Sequence, residues 1–147
     1  IRFNIVGDGV ALSKLKSIVE NDEYLKEHVV FHGFKQGNEL YSIYNETDIA
    51  IGSLAIHRIN LPAVQSIKNR EYCAIGLPML YTGDDPILDQ EPFVYKLSPD
   101  ESIIDIPSII QWYGQLNIKP EDIREYAVHN LSWEKQMKYV INYISPL

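Results

Sequence analysis

Glu71 has the clearest chemical potential in the sequence, because a helical pattern places its carboxylate among apolar neighbours. Val64, Ile67, Ala74 and Ile75 recur at helical spacing, and Glu71 falls on the same line between them. An ionised group in such surroundings is costly unless it is paired or hydrogen-bonded. A pair of sugar hydroxyls or a buried base would satisfy it. The pattern therefore predicts a helix that presents Glu71 to a ligand.

The residues before Glu71 predict an anion site at the start of the same helix. The helix is expected to begin at residues 62–64, which leaves the backbone N–H groups of Val64, Gln65 and Ser66 available to a diphosphate. Lys68 lies one turn before Glu71 and could reach phosphate oxygens. A plain surface ion pair between Lys68 and Glu71 is the alternative, and it would contribute little to stability.

Three other reactive side chains near this helix are interpreted as follows. Arg70 is expected to point away from the Glu71 face as a solvated charge. Cys73 is expected to be a small buried residue rather than a nucleophile. No histidine shows metal-ligand spacing. His57 is the one histidine placed to meet a substrate, because it lies in the irregular stretch before the Glu71 helix.

Strand-like and helix-like runs alternate along the chain, which predicts an α/β fold with a mostly parallel sheet and helices on both faces. A helix follows the first strand, Asn38 is expected to cap a second helix, and Gly76 is expected to end the helix of Glu71. The C-terminal third is helical. The predicted strands are residues 3–6, 29–31, 48–52, 79–81 and 93–95.

Glycines follow the first two strands, at the edge where parallel sheets bind ligands. Gly7 and Gly9 enclose a tight turn, and they could also allow close approach of a ligand. Leu12 stands where a dinucleotide fingerprint has its third glycine, and no acidic residue follows Gly33, so nicotinamide binding is not expected. A receiver domain is not expected either, because its carboxylate cluster is missing.

Length and composition fit one folded domain of 147 residues, of which 46% are hydrophobic. A net charge of −7 without a basic run argues against nucleic-acid binding. The single cysteine excludes an intrachain disulfide, and no stretch is long and apolar enough to span a membrane. We therefore expect a cytoplasmic protein. The chain starts directly on a strand without a methionine, which is typical of a fragment.

Several separated patterns agree in order and spacing with one known family. Residues 3–9 resemble a strand and glycine loop, and residues 30–34, 40–41 and 48–50 resemble the next two units. The Glu71 helix with its Ala-Ile-Gly-Leu-Pro ending follows, and residues 123–127 and 131–134 resemble closing helices. Together they resemble the C-terminal, donor-binding domain of retaining glycosyltransferases of family 4.

This resemblance implies one Rossmann-like half of a two-domain (GT-B) glycosyltransferase used in polysaccharide biosynthesis. Residues 1–147 would form a single donor-binding domain that lacks the N-terminal acceptor domain and its own first strand and helix. The full enzyme would transfer a sugar from a nucleoside diphosphate sugar to a hydroxyl of a glycan or lipid-linked acceptor. The isolated chain is expected to be inactive, and any peripheral membrane association would come through the full-length protein.

The resemblance also assigns positions. Glu71 would hold the ribose, and Lys68, Ser66 and Gln65 would lie near the diphosphate. Gly33 and Phe34 would lie near the base, with Gly7 and Gly9 close to the donor. The resemblance implies no cofactor and no metal beyond the nucleotide sugar, and no catalytic residue is assigned.

The sequence departs from the family at Ala63, where many members carry a second glutamate. The sugar is therefore expected to be read by other residues between Ser53 and Gln65. Two alternatives stay open: a nucleotide-sugar epimerase of the same architecture, and a non-catalytic nucleotide-binding module.

The last helix carries an apolar stripe behind a Ser132 cap. We expect this stripe to face the core. Partial exposure, which would favour association, is the alternative.

Overall fold

A computed structural model describes residues 1–61, 63 and 65–145. The chain divides into two compact units, Ile1–Glu46 and Thr47–Leu147. In the described part of the chain, no helix is both long and apolar enough to cross a membrane.

The first unit is built on two parallel strands, β1 (Phe3–Val6) and β2 (Val29–Gly33). Helices α1 (Leu12–Glu20) and α2 (Glu23–His28) connect them, and α3 (Gly37–Asn45) follows β2. The sequence prediction missed α2, which is only six residues long and starts at an Asp22 cap whose carboxylate accepts the Leu25 N–H at 3.1 Å. Asn38 was predicted as the cap of α3, but α3 begins at Gly37 and Gln36 is its N-cap.

The second unit contains a three-stranded parallel sheet in the order β3–β4–β5, formed by Ala50–Ile51, Met79–Tyr81 and Val94–Lys96. The central strand β4 is buried along its whole length, because apolar side chains fill both of its faces. Met79 and Phe93 lie at the centre of this core. The strands of the described residues thus form two parallel sheets, whereas one sheet was predicted.

Helices complete the second unit: α4 (Ile67–Ile75), α5 (Ile106–Gln115), α6 (Pro120–Leu131) and α7 (Trp133–Ile144). A short 3₁₀ helix, Ile56–Ile59, precedes α4. Gly76 ends α4 in the left-handed region with φ 91°, as predicted. A Cβ at this position would lie 2.5 Å from the Pro120 carbonyl oxygen, so glycine also permits the close packing of α4 on α6.

Helix α7 differs from its prediction. Ser132 caps it, with its hydroxyl accepting the Lys135 N–H at 3.3 Å, as expected. None of its described residues is buried, however, and Trp133 is 82% exposed. The expectation that its apolar stripe faces the core is therefore wrong, and the alternative of an exposed stripe holds.

The fold class predicted from the sequence is confirmed, since all described strand pairs are parallel and helices separate most of the strands. The ends of β3, β4 and β5 lie at one edge of the second sheet, and this edge organises the site described below.

Candidate functional site

Helix α4 presents a different face to the core from the one that its apolar residues suggested. Its buried residues are Asn69, Tyr72 and Cys73, which lie together at helical spacing, while Ile67 is 85% exposed. The face that carries Ile67 and Glu71 therefore points away from the core, and the predicted orientation is wrong. Hydrophobicity misled the prediction because a polar residue, Asn69, packs inward.

Asn69 packs inward because the residue opposite it, Gly52, has no side chain. Its side chain is 2% exposed, and a Cβ on Gly52 would lie 2.6 Å from its Oδ1 and 2.8 Å from the Tyr81 Cβ. Glycine at position 52, directly after β3, thus makes room for the helix. The Asn69 Oδ1 is buried and has no hydrogen-bond partner in the described part of the chain.

Glu71 is partly buried and makes no hydrogen bond or ion pair with any described residue. Lys68 is exposed on the preceding turn, and no ion pair joins it to Glu71 within the described ranges. The alternative of a surface Lys68–Glu71 pair is thus not what the structure shows. The carboxylate is thus partly exposed and has no partner among the described residues.

The start of α4 lies later in the chain than predicted. The helix begins at Ile67 with Ser66 as the N-cap residue, and the Ser66 hydroxyl makes no capping bond. The open N–H groups are therefore those of Ile67, Lys68 and Asn69, rather than those of residues 64–66. Gln65 is exposed just before the cap.

The residues predicted to begin this helix do not form helix where they are described. Ala63 forms an isolated parallel bridge with Asp84 instead of a helical turn. Pro62 and Val64 lie outside the described residues.

Arg70 is not the solvated charge that was predicted. Its guanidinium forms a bidentate ion pair with the Asp85 carboxylate: Nη1 donates to Oδ2, and Nη2 donates to Oδ1 at 2.9 Å. The Asp85 side chain is completely buried, and 21% of the Arg70 side chain remains exposed. This pair fixes α4 to the loop after β4, and it therefore sets the orientation of the neighbouring Glu71.

The polar network continues from Asp85 to β5. The Asp85 backbone N–H donates to Asp89 Oδ2 at 3.0 Å, and Asp89 Oδ1 accepts from Tyr81 Oη and Lys96 Nζ at 2.8 Å each. Partial burial raises the pKa of Asp89, but the hydrogen bonds from Lys96, Asp85 and Tyr81 outweigh burial and hold this pKa below its usual range. Burial, followed by the contact with Asp89, raises the pKa of Tyr81.

A cavity of about 480 Å³ lies at the carboxyl ends of β3, β4 and β5. Its walls come from the segment after β3, from Thr82 after β4, and from most of the segment between Tyr95 and Asp105. This is the edge where open parallel sheets bind ligands, and the volume lies in the range of small-molecule sites. Glu71 and Lys68 do not line it.

An ion-pair cluster forms one wall of this cavity. His57 Nε2 lies 2.8 Å from Glu101 Oε1, and Arg58 donates to both oxygens of the same carboxylate at 2.7 and 2.5 Å. The hydrogen bonds of Arg58 and then of His57 lower the pKa of Glu101 to about 2. The second ring nitrogen of His57, Nδ1, is buried and has no partner in the described part of the chain.

The four predicted positions of the first unit lie at the carboxyl ends of its two strands. Gly7 has a φ of 132° and Gly33 a φ of 68°, and the Gly7 N–H donates to the Gly33 carbonyl at 2.8 Å. Both glycines therefore hold conformations that other residues rarely adopt. The Gly9 N–H donates to Asp8 Oδ1 at 2.8 Å, and Phe34 is 69% exposed.

No protein-family model and no curated protein matches this chain. Among solved structures, it is similar to AviGT4, a glycosyltransferase involved in avilamycin A biosynthesis, with a TM-score of 0.72 and 14% sequence identity. The chain shares its fold with part of a glycosyltransferase. The likeness covers 97% of this chain and 42% of the avilamycin enzyme's chain. It supports the Rossmann-like half of a GT-B architecture as the fold, while the family-4 assignment stays a prediction.

The sequence prediction missed the Arg70–Asp85 pair and the Glu101 contact with His57. Arg70 and Asp85 are 15 positions apart, and His57 and Glu101 are 44 apart, so no local spacing could reveal either contact. The Asp84-Asp85 run directly after the buried strand β4 was a usable signal, because a carboxylate that becomes buried at such a position needs a cationic partner.

Cys73 has the predicted structural role. Its thiol is fully buried and donates weakly to the Ile123 carbonyl at 3.6 Å. Burial raises the pKa of this thiol to about 12, which opposes thiolate formation. Among the described residues, no group of three or more His, Cys, Asp or Glu side chains is arranged to hold a metal ion.

Proposed function

We propose that this chain is the donor-binding domain of a glycosyltransferase, in which Glu71 binds the ribose of a nucleoside diphosphate sugar. The observation that carries the proposal is the unpaired carboxylate of Glu71 on the open face of α4, within a fold shared with a glycosyltransferase. Ribose offers two neighbouring hydroxyls, and an ionised carboxylate accepts hydrogen bonds from both.

The diphosphate is proposed to bind at the start of α4. The N–H groups of Ile67, Lys68 and Asn69 point out of the helix end, where the helix dipole favours an anion. The exposed ammonium of Lys68 adds a positive charge within reach of the same region. The Ser66 hydroxyl and the Gln65 amide lie beside it, and neither side chain forms a hydrogen bond with a described residue.

In the first unit, taken by itself, the resemblance proposes Gly7, Gly9, Gly33 and Phe34 as positions that approach a nucleotide. The backbone turns at Gly7 and Gly9 allow close approach of a ligand, and the ring of Phe34 after Gly33 is exposed and able to meet a base. The sequence favours no particular base, so uridine, guanosine and adenosine diphosphates are all suitable probes.

The full reaction proposed is transfer of a glycosyl group from the nucleoside diphosphate sugar to a hydroxyl of a glycan or lipid-linked acceptor, with retention. Negative charge develops on the leaving diphosphate, and the helix end and Lys68 would stabilise it without a metal ion. The acceptor half is proposed to come from a further domain, so this chain alone should bind the donor without turning it over.

Calorimetric titration with the three nucleoside diphosphates tests the proposal. Glu71→Ala should weaken binding by about 10- to 150-fold, because a hydrogen bond to a charged group is worth about 1.5–3 kcal/mol. Glu125→Ala is the control: its carboxylate also lies on a helix and makes no ion pair within the described ranges, and it is more exposed than that of Glu71. Equal affinity for the original chain and Glu71→Ala would refute the ribose role.

A further inference from the structure

The residues on either side of Glu71 in the sequence are both tied to strand ends of the second unit's sheet. Arg70 is held by the buried Asp85 in the loop after β4. The Tyr72 hydroxyl donates to the Ile51 carbonyl, at the end of β3, at 3.2 Å. Since β3 and β4 are adjacent strands, the backbone of Glu71 is anchored to one edge of the sheet immediately before and immediately after this residue.

The two anchors lie on opposite sides of α4. Successive residues of an α-helix are about 100° apart around the axis, so Arg70 and Tyr72 span about 200° of the circumference with Glu71 in the middle. Rotation of the helix about its axis would therefore disturb both contacts. A rotation of about 20° would move a carboxylate that lies about 5–6 Å from the axis by about 2 Å, whereas a binding site has to hold its groups within about 0.5 Å.

The anchor of Arg70 is itself fixed to the sheet. Asp85 Oδ1 also accepts the Ile87 N–H at 3.3 Å, and the Asp85 N–H donates to Asp89 at 3.0 Å. Asp89 in turn accepts a hydrogen bond from Lys96 on β5 at 2.8 Å. The loop after β4 is thus braced by two strands, and α4 takes its orientation from the sheet.

Stability alone does not account for a pair such as Arg70–Asp85. The Asp85 side chain is completely buried, and a buried ion pair adds little net stability compared with apolar residues of similar volume. A bidentate pair does fix direction as well as distance, because the planar guanidinium makes two parallel hydrogen bonds. Glu71 has no partner of its own among the described residues, so its position depends on how its neighbours are held.

We infer that Arg70 and Tyr72 are positioning residues for nucleotide binding, which act through Glu71 by holding its carboxylate in one place before the nucleotide arrives. The inference rests on the proposed function, in which Glu71 binds the ribose. It assigns neither residue a contact with the nucleotide. A carboxylate that is already fixed loses less conformational entropy on binding, and this increases affinity.

Arg70→Lys and Tyr72→Phe test the two anchors with little change in charge or volume. Lysine keeps the positive charge beside Asp85 but cannot make two parallel hydrogen bonds to its carboxylate, and phenylalanine lacks only the hydroxyl. Uridine, guanosine and adenosine diphosphates are titrated into the 147-residue chain, and the Kd is read from amide proton–nitrogen NMR. Each variant should raise the Kd by about two- to ten-fold, the cost of ordering one side chain.

Tyr126→Phe is the matched control for Tyr72→Phe. Tyr126 also lies on a helix, α6, and its hydroxyl also donates to a backbone carbonyl, that of Ile87, at 2.5 Å. Its loss removes the same kind of hydrogen bond away from Glu71, so it should leave the Kd unchanged. Thermal denaturation checks that all variants are folded at the temperature of the titration.

The same substitutions in a Glu71→Ala background separate positioning from direct contact and from general loosening of the domain. Residues that act only through the Glu71 carboxylate have no effect once it is gone. Arg70→Lys and Tyr72→Phe should therefore leave the Kd of Glu71→Ala unchanged, although each raises the Kd of the original chain.

Three results would overturn the inference: an unchanged Kd in Arg70→Lys or Tyr72→Phe, an equal fold-change with and without Glu71, or a rise in Tyr126→Phe as large as that in Tyr72→Phe. If Glu71→Ala weakens binding while the two anchor variants do not, the positioning role alone is rejected. If Glu71→Ala itself has no effect, or no nucleotide binds, the proposed ribose role is rejected and the positioning role with it.

Discussion

The Arg70–Asp85 pair offers the sharpest test of how α4 is held in place. Asp85 is completely buried, and Arg70 is its cationic partner. Arg70→Ala leaves a charge without a partner in the core, and removing one member of a buried pair costs about 3–5 kcal/mol. Because 21% of the Arg70 side chain is exposed, water can partly solvate the vacated position, and we expect the lower end, about 3 kcal/mol.

Arg58→Ala is the matched control for this experiment. Arg58 also binds both oxygens of one carboxylate, that of Glu101, but the two side chains are 63% and 65% exposed. An ion pair this exposed contributes little to stability, because water screens it, so Arg58→Ala should change the free energy of unfolding much less than Arg70→Ala. The two variants thus remove the same chemistry and differ in burial.

Urea denaturation followed by circular dichroism measures the free energy of unfolding of both variants. Adding Asp85→Asn to Arg70→Ala should restore part of the loss, since the uncompensated charge disappears. The reasoning is refuted if Arg70→Ala destabilises the protein no more than Arg58→Ala, or if the second substitution makes the loss larger.

Three further outcomes follow from the packing and the titration of the second unit. Gly52→Ala should lower the free energy of unfolding by about 1–3 kcal/mol in thermal denaturation, because its Cβ would lie 2.6 Å from Asn69 Oδ1. Gly114→Ala is the control: no atom lies within 4 Å of its added Cβ, and it should stabilise α5 by about 0.5–1 kcal/mol. Equal effects of the two substitutions would contradict the close packing at Gly52. The pKa of Asp89 is lowered on folding, so its contribution to stability is present above its unfolded pKa of about 4 and is lost as the pH falls through the lower folded pKa; Asp89→Asn should flatten the acid limb of the stability profile, and an unchanged limb would count against the network. Cys73, whose thiol has a pKa of about 12, should resist iodoacetamide at pH 8 until urea unfolds the chain, and rapid labelling of the folded protein would show the burial to be wrong.

The sequence predicted strands and helix ends correctly where these depend only on residues that are close together in the chain. Met79–Tyr81 forms the predicted strand, and Gly76 ends α4 as predicted, since only a left-handed residue suits that turn. Ser132 caps α7 for the same local reason.

Burial was harder to predict because it depends on what lies opposite. The inward face of α4 carries Asn69 against Gly52, and Arg70 reaches a buried carboxylate 15 positions away. Both contacts place polar residues where a hydrophobic pattern expects apolar ones. The pattern therefore assigned the wrong face to the core, and Glu71 is a candidate because its partly buried carboxylate has no partner among the described residues.

The exposed stripe of α7 illustrates the same limit. Trp133 and its apolar neighbours at helical spacing favoured a core-facing helix, yet no described residue of α7 is buried. Periodicity reports that a helix has an apolar face, but not whether the described chain supplies a surface to cover it.

Titration of the isotope-labelled chain with uridine, guanosine and adenosine diphosphates, read by amide proton–nitrogen NMR, tests the central proposal most directly. The account predicts that at least one nucleotide shifts the amides from Ile67 to Glu71 at the start of α4, with the shifts at a given concentration reduced in Glu71→Ala. Shifts confined to other parts of the chain, or none with any of the three nucleotides, would contradict it.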